Sequence, residues 1–241
     1  MPGRLLVVST PIGNLGDLSP RAREAFESAD LVACEDTRRT GLLLHQLGIK
    51  RPLLSLHEHN ERRRLPELLR RLEAGETIAL ASDAGTPLLS DPGFPLVREA
   101  AAQGARIEAI PGPSALLAAL VVSGLPTLPF TFAGFPPPKS GKRKAFYRAL
   151  AGLPHTLVVY ESPHRLLASL ADAEGELGDR PAALGRELTK LHEEVLRGRL
   201  SEIRAVLAAR PGLKGEFVLV LSGTETETAA PDASPPTGAD R

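Results

Sequence analysis

The chain has one cysteine, no tryptophan and no net charge, and each shortage bears on what it can be. Cys34 alone excludes an intramolecular disulfide framework and any cysteine-rich zinc site, which predicts a cytoplasmic protein. No apolar run approaches the roughly 18 residues that a membrane span requires. Met-Pro-Gly-Arg leads straight into Leu5-Leu-Val-Val8, too short an apolar region for a signal peptide and without its small-residue cleavage site. The 29 basic and 29 acidic residues cancel, which argues against a protein that coats nucleic acid through charge alone. Two motifs are missing as well. The turn after the first strand-like run lacks G-x-G-x-x-G, and Lys139-Ser-Gly-Lys142 lacks the upstream glycine of a P-loop, so NAD and ATP chemistry lose their usual supports.

What is present suffices for a real core: 241 residues, 42% of them hydrophobic. Strand and helix signals alternate over residues 1–122, with strands at 5–9, 31–34, 53–56, 77–81 and 106–110. Helical patterns at 20–28, 39–47, 62–74, 92–103 and 113–121 lie between them, the first with Ser19 as N-cap and Pro20 at N1. This pattern predicts an N-terminal α/β domain around a mostly parallel five-stranded sheet. Residues 123–138 break the rhythm with repeated prolines and read as a linker. Residues 139–223 give helices at 142–150, 163–176 and 201–209 and strands at 156–160, 182–187, 194–197 and 216–222, which predicts a C-terminal α/β domain with a mixed sheet. The stretch 224–241, polar, acidic and aperiodic, reads as a disordered tail.

Two glycine/proline turns follow strand-like runs: Ser82-Asp-Ala-Gly-Thr-Pro-Leu-Leu-Ser-Asp-Pro-Gly93 and Pro111-Gly-Pro-Ser-Ala115. In open α/β sheets ligands bind outside the carboxyl ends of strands, so the two turns predict one small-molecule site. Asp83 and Asp91 are acceptors there, and Ser82, Thr86, Ser90 and Ser114 offer hydroxyls. Ordinary βα connections punctuated by Gly and Pro are the competing reading. Glu35-Asp-Thr-Arg-Arg39 ends the second strand at the same edge, with Asp36 or Thr37 alternatively a helix N-cap. His57-Glu-His-Asn-Glu61 reads as a polar rim rather than a metal site, since no third ligand cluster accompanies it. Tyr160-Glu-Ser-Pro-His-Arg165 and Arg186-Glu-Leu-Thr-Lys190 bring further polar strand ends from the second domain to an inter-domain cleft.

Together with Thr10-Pro-Ile-Gly-Asn-Leu-Gly-Asp17, and running in order from about residue 4 to 222, these segments resemble the signature of the ribosomal RNA small subunit methyltransferase I family, a branch of the tetrapyrrole-methylase-fold group. The resemblance implies a two-domain α/β homodimer that uses S-adenosylmethionine to methylate the ribose 2′-hydroxyl of a cytidine in the decoding region of 16S rRNA. It implies that the cofactor is held by Ser82, Asp83, Gly85, Thr86, Ser90 and Asp91, by Ser114 and Ala115, and from the second domain by Tyr160, Leu188, Thr189 and Glu216. Gly85-Thr86-Pro87 stands where the wider group has Gly-Asp-Pro, which counts against a tetrapyrrole substrate.

Such a transfer is an in-line displacement that needs alignment and, in principle, no metal. Asp36 and Glu187 are candidate acceptors for the hydroxyl proton, and Arg38 and Lys190 candidate cations for the developing oxyanion. Pure positioning without a base is the alternative. Lys139, Lys142, Arg143, Lys144 and Arg148 form a basic stretch free of acids, expected to contact rRNA phosphates on the assembled small ribosomal subunit. The competing functional readings are a tetrapyrrole C-methyltransferase and a non-catalytic ribosome-assembly factor.

Overall fold

The computed structural model describes residues 3–224, so the tail expected at 224–241 lies, apart from Thr224, outside the described residues. Five strands, β1 (Arg4–Val8), β2 (Leu31–Cys34), β3 (Leu53–Ser55), β4 (Thr77–Ala81) and β5 (Arg106–Ile110), form the first sheet in the order β3-β2-β4-β1-β5. All its pairings are parallel. β2 and β4 are buried at every position, as strands covered on both faces must be, which is why their sequences read as continuous apolar runs.

Helices α1 (Pro20–Ser28) and α2 (Thr37–Gln46) cover one face. α3 (Glu61–Glu73) and α4 (Phe94–Ala102) cover the other. The expected cap of α1 is present: Ser19 Oγ accepts from Ala22 N at 3.1 Å, with Pro20 opening the helix. β1 and β4 are neighbours, yet the loop after β1 leads to α1 and the loop after β4 leads to α4 on the opposite face. The two loops therefore diverge and leave a crevice at the carboxyl edge.

The second sheet has the order β6-β7-β10-β8-β9, built from β6 (Phe130–Phe132), β7 (Thr156–Glu161), β8 (Pro181–Arg186), β9 (Glu194–Arg199) and β10 (Phe217–Leu221). Only β6 and β7 run parallel, so the sheet is mixed as its sequence implies. Alternation along its strands serves two layers. Leu157, Val159, Leu219 and Leu221 pack under α6 (Ser140–Leu150), α7 (Leu166–Leu177) and α8 (Leu200–Ala208), whereas Val158, Val218 and Val220 face α5 (Ala115–Val122).

Two elements depart from the sequence reading. β6 falls within 123–138, the stretch read as a linker; its flanking prolines are tolerated because it is an edge strand, paired on one side only. α5, assigned to the first 122 residues, sends Leu116, Ala119 and Leu120 into the second sheet's core. Its sequence is apolar on every side and carries no signal for which sheet it covers. No helix among the described residues is long and apolar enough to cross a membrane.

Candidate functional site

The crevice between the β1 and β4 loops opens into a cavity of about 340 Å³. Ile12 from the β1 loop, Asp83–Thr86 and Leu89–Asp91 from the β4 loop, and Ala115 at the start of α5 line its first wall. The second sheet supplies the opposite wall through Phe135, Tyr160 to Pro163 after β7, and Gly215 to Val218 at the start of β10. The two polar turns and the Tyr160 and Glu216 edges named from sequence thus converge on one space.

The β4 loop is fixed by its own polar groups. Thr10 and Gly85 exchange backbone hydrogen bonds at 2.9 and 3.0 Å, joining the β1 and β4 turns directly. Ser82 Oγ donates to the carbonyls of Ala84 and Gly85, and Thr86 Oγ1 donates to the Pro113 carbonyl at 3.2 Å while accepting from Ser9 Oγ at 3.1 Å. Two hydroxyls expected to meet a ligand are therefore engaged in shaping the turns. Gly85 has φ +79°, and a Cβ there would touch Ile12. Leu88 and Ser90 hold φ of 73° without being glycine, a strained conformation that the surrounding loop enforces. Glu61 Oε1 accepts from Gly93 N at 2.6 Å, so the His57–Glu61 rim tethers the far end of the loop.

Ser114 Oγ and Thr189 Oγ1 are buried with no hydrogen-bond partner among the described residues. Neither residue is among those that line the cavity, although Ser114 adjoins Ala115, which does. Leu188, beside Thr189, is packed into the apolar core behind Gly185, which leaves only its backbone for a ligand. The Tyr160 ring is held by Phe132 and Phe135 at centroid distances of 4.8 and 5.3 Å.

The charged candidates separate once their partners are seen. Asp36 caps α2, accepting from Arg38 N at 2.9 Å and twice from the Arg38 guanidinium, and these bonds hold its carboxyl far below the usual carboxylate range. Neither residue lines the cavity, and the Arg38 side chain is 90% exposed. Arg39, one position and about 100° further round the helix, does line it and lies 3.5 Å from Asp83. Lys190 Nζ donates to Glu187 Oε1 at 2.9 Å and to Glu216 Oε2 at 3.0 Å. The Lys190 hydrogen bond lowers the Glu187 carboxyl; burial pulls Lys190 down, but the two carboxylates outweigh it and its pKa rises. Asp91 differs from all of these. Burial first, then the nearby Glu35 charge, pushes it up to about 6, against a weaker opposing bond from Ser82.

The basic stretch is not one surface. Arg143, expected among the phosphate contacts, is 5% exposed and bound to Asp172 at 2.7 Å and to the Pro138 carbonyl, because the packing of α6 on α7 turns it inward. Arg148 is paired with Glu176, and Lys144 lies 3.8 Å from Asp172. Lys139 and Lys142 remain exposed with no ion pair among the described residues. No group of three or more His, Cys, Asp or Glu is gathered for a metal among the described residues. Sequence reasoning passed over Ile12, Arg39 and Phe135. Arg39 stood beside the Arg38 that was chosen, whereas Phe135 carried no signal inside its proline-rich run.

Residues 4–204 match the model of the tetrapyrrole (corrin/porphyrin) methylases. The ribosomal RNA small subunit methyltransferase I of Xylella fastidiosa is 50% identical over 95% of this chain and 85% of its own length. That of Mesorhizobium japonicum is 49% identical over 94% and 78%. Among solved structures, uroporphyrin-III C-methyl transferase from Thermus thermophilus, in complex with S-adenyl homocysteine, aligns with a TM-score of 0.63 at 20% identity, covering 92% of this chain and 98% of that one. At that identity the likeness is one of fold.

Proposed function

The chain belongs to the tetrapyrrole methylase family and, within it, to the ribosomal RNA small subunit methyltransferases I; from that premise we propose that it methylates the ribose 2′-oxygen of a cytidine in the decoding region of 16S rRNA. The observation that carries this reading is identity at the level of 50% spread over 95% of the chain, with the quoted motifs converging on one cavity. The methyl donor is S-adenosylmethionine, and the residues suit it. Ser114, beside the lining residue Ala115, presents an unpaired buried hydroxyl, Gly85 keeps the turn free of a side chain, and Asp83 and Glu216 give the lining an acidic character that favours a cation.

When bound, the donor supplies an electrophilic methyl carried on a positively charged sulfur. The chain's own contribution is alignment and charge. Ser82 and Thr86 hold the turns rigid, so the site is shaped before a ligand arrives. Glu187 and Glu216 fix Lys190 as a permanent cation at the β10 edge; it is not among the lining residues and acts on the site through Glu216, which is. The Asp36–Arg38 pair, engaged with itself and outside the lining, serves the rim, with Arg38 free to meet RNA backbone.

Lys139, just before α6, and Lys142 within it extend that contact, and the balanced total charge favours a structured subunit over naked RNA. The reading places the enzyme in the cytoplasm as a homodimer, which is supported by α5, whose outer residues Leu117 and Val121 are half or more exposed. The experiment is to map 2′-O-methylation in 16S rRNA from cells with and without this chain. Loss of one cytidine mark on deletion is the expected result; unchanged rRNA, with labelled methyl passing to a tetrapyrrole, would overturn it. Light scattering at micromolar concentration reads the dimer.

A further inference from the structure

Among the acids at this cavity, one is set apart by what it lacks. Asp83 accepts the Asp36 backbone N–H at 2.9 Å and lies near Arg39, and Glu216 is bound by Lys190. Glu161 also has no ion pair among the described residues, but it ends β7 on the face turned to α6 and α7, where Tyr147 and Ser162 donate to it. Asp91 has no Lys, Arg or His within ion-pair distance among the described residues, yet it lines the cavity. Its position is imposed: it follows Ser90, held at φ 73°, and precedes the Pro92-Gly93 corner tied to Glu61. We propose that Asp91 is the proton acceptor of the transfer, a catalytic residue distinct from the cofactor-holding wall with which its motif groups it. The proposal rests on the methyl-transfer reading above.

The groups that face Asp91 come from four elements. Glu35 lies beyond β2, Ser82 and Asp83 beyond β4, Tyr160 on β7, and Arg39 on α2 lies beside Asp83. Two of them are carboxylates and the arginine is partly spent on one, so the surroundings favour a proton on Asp91. An affinity near 6 leaves Asp91 mostly ionised at neutral pH but still basic enough to take a proton in the transition state. Asp36 and Glu187, the acceptors suggested by residue type, are the reverse case, since cationic partners hold their carboxyls down.

The step balances. As the ribose oxygen forms its bond to the methyl carbon, the 2′-O–H proton passes to an Asp91 carboxylate oxygen, and the electron pair of the breaking S–C bond stays on sulfur, which becomes a neutral thioether. Asp91 ends the step as a neutral acid and returns its proton to water.

The test compares wild type with Asp91→Asn, which keeps shape and removes the basic oxygen. Three measurements are made: the carboxyl titration by carbon-13 NMR, calorimetric binding of S-adenosylhomocysteine, and kcat against pH on small subunits lacking the modification. The expected result is a carboxyl titrating near pH 6 that vanishes in the variant, S-adenosylhomocysteine affinity within about threefold, and kcat lower by at least about 100-fold with its acid limb gone. Retained kcat with the acid limb intact overturns the proposal. Tenfold weaker binding with normal kcat at saturation also overturns it, and makes Asp91 a cofactor ligand. Wild type that binds S-adenosylhomocysteine yet methylates no subunit RNA would overturn the functional reading itself.

Discussion

Lys190 lies directly against Gly13: the lysine's aliphatic stem crosses the β1 turn where any side chain at position 13 would stand. A residue of the second half is thereby laid over the first half's loop, and its ammonium is delivered to Glu187 and Glu216. Gly13→Ala should push this stem aside at a cost of about 1–3 kcal/mol. Urea denaturation measures the loss. Lys190→Ala in the same chain should recover most of it, since the clash then has no second partner. Additive losses in the double variant would show that the contact does not matter to stability.

Gly85 adopts a conformation that side chains rarely accept and faces Ile12 at contact distance. Gly85→Val should therefore cost about 1–3 kcal/mol in backbone strain and close the cavity wall. Calorimetry with S-adenosylhomocysteine should register no binding. Binding at wild-type affinity would place the ligand elsewhere.

Arg143 and Lys142 are sequence neighbours with opposite roles. Arg143→Ala leaves the buried Asp172 with the Ser140 hydroxyl and, as its only cation, the more distant Lys144, and should destabilise by about 3–5 kcal/mol. Lys142→Ala should leave stability unchanged and reduce the slope of log K against log salt for subunit binding by about one. Thermal melts and salt titrations of binding, run on both variants, separate the two.

Asp91 should make stability depend on pH. Its folded pKa, about 6, lies above the 3.8 of an unperturbed aspartate, so between these values the folded chain holds more proton than the unfolded one. Its contribution is therefore full below pH 3.8 and is lost as pH rises through about 6. Asp91→Asn removes this penalty: the variant should melt higher than wild type at pH 7.5, and the gap should narrow as the pH falls below about 6 and close only below pH 3.8. A gap independent of pH would mean that Asp91 is not held as described.

Much of the fold was readable because its determinants are local. The apolar runs of β2 and β4, the Ser19-Pro20 start of α1 and the glycines after β4 act over a few residues, and each element falls within a few positions of its expected place. α5 and β6 were not readable in the same way. An all-apolar helix suits either sheet, and a three-residue strand between prolines gains its identity only from pairing with β7.

The sequence by itself determined the two sheets, the polar turns at their carboxyl edges and the family to which the chain belongs, because strand periodicity, turn chemistry and motif order are written in neighbouring residues. Only the tertiary structure decided which side chains are free to act. Arg39 rather than Arg38 reaches the cavity, Arg143 is buried on Asp172, Lys190 is held by Glu216, and Asp91 is left without an ion pair. The partners of a charged group are set by residues tens of positions away, brought within 4 Å by packing, and that distance is not encoded in any local pattern.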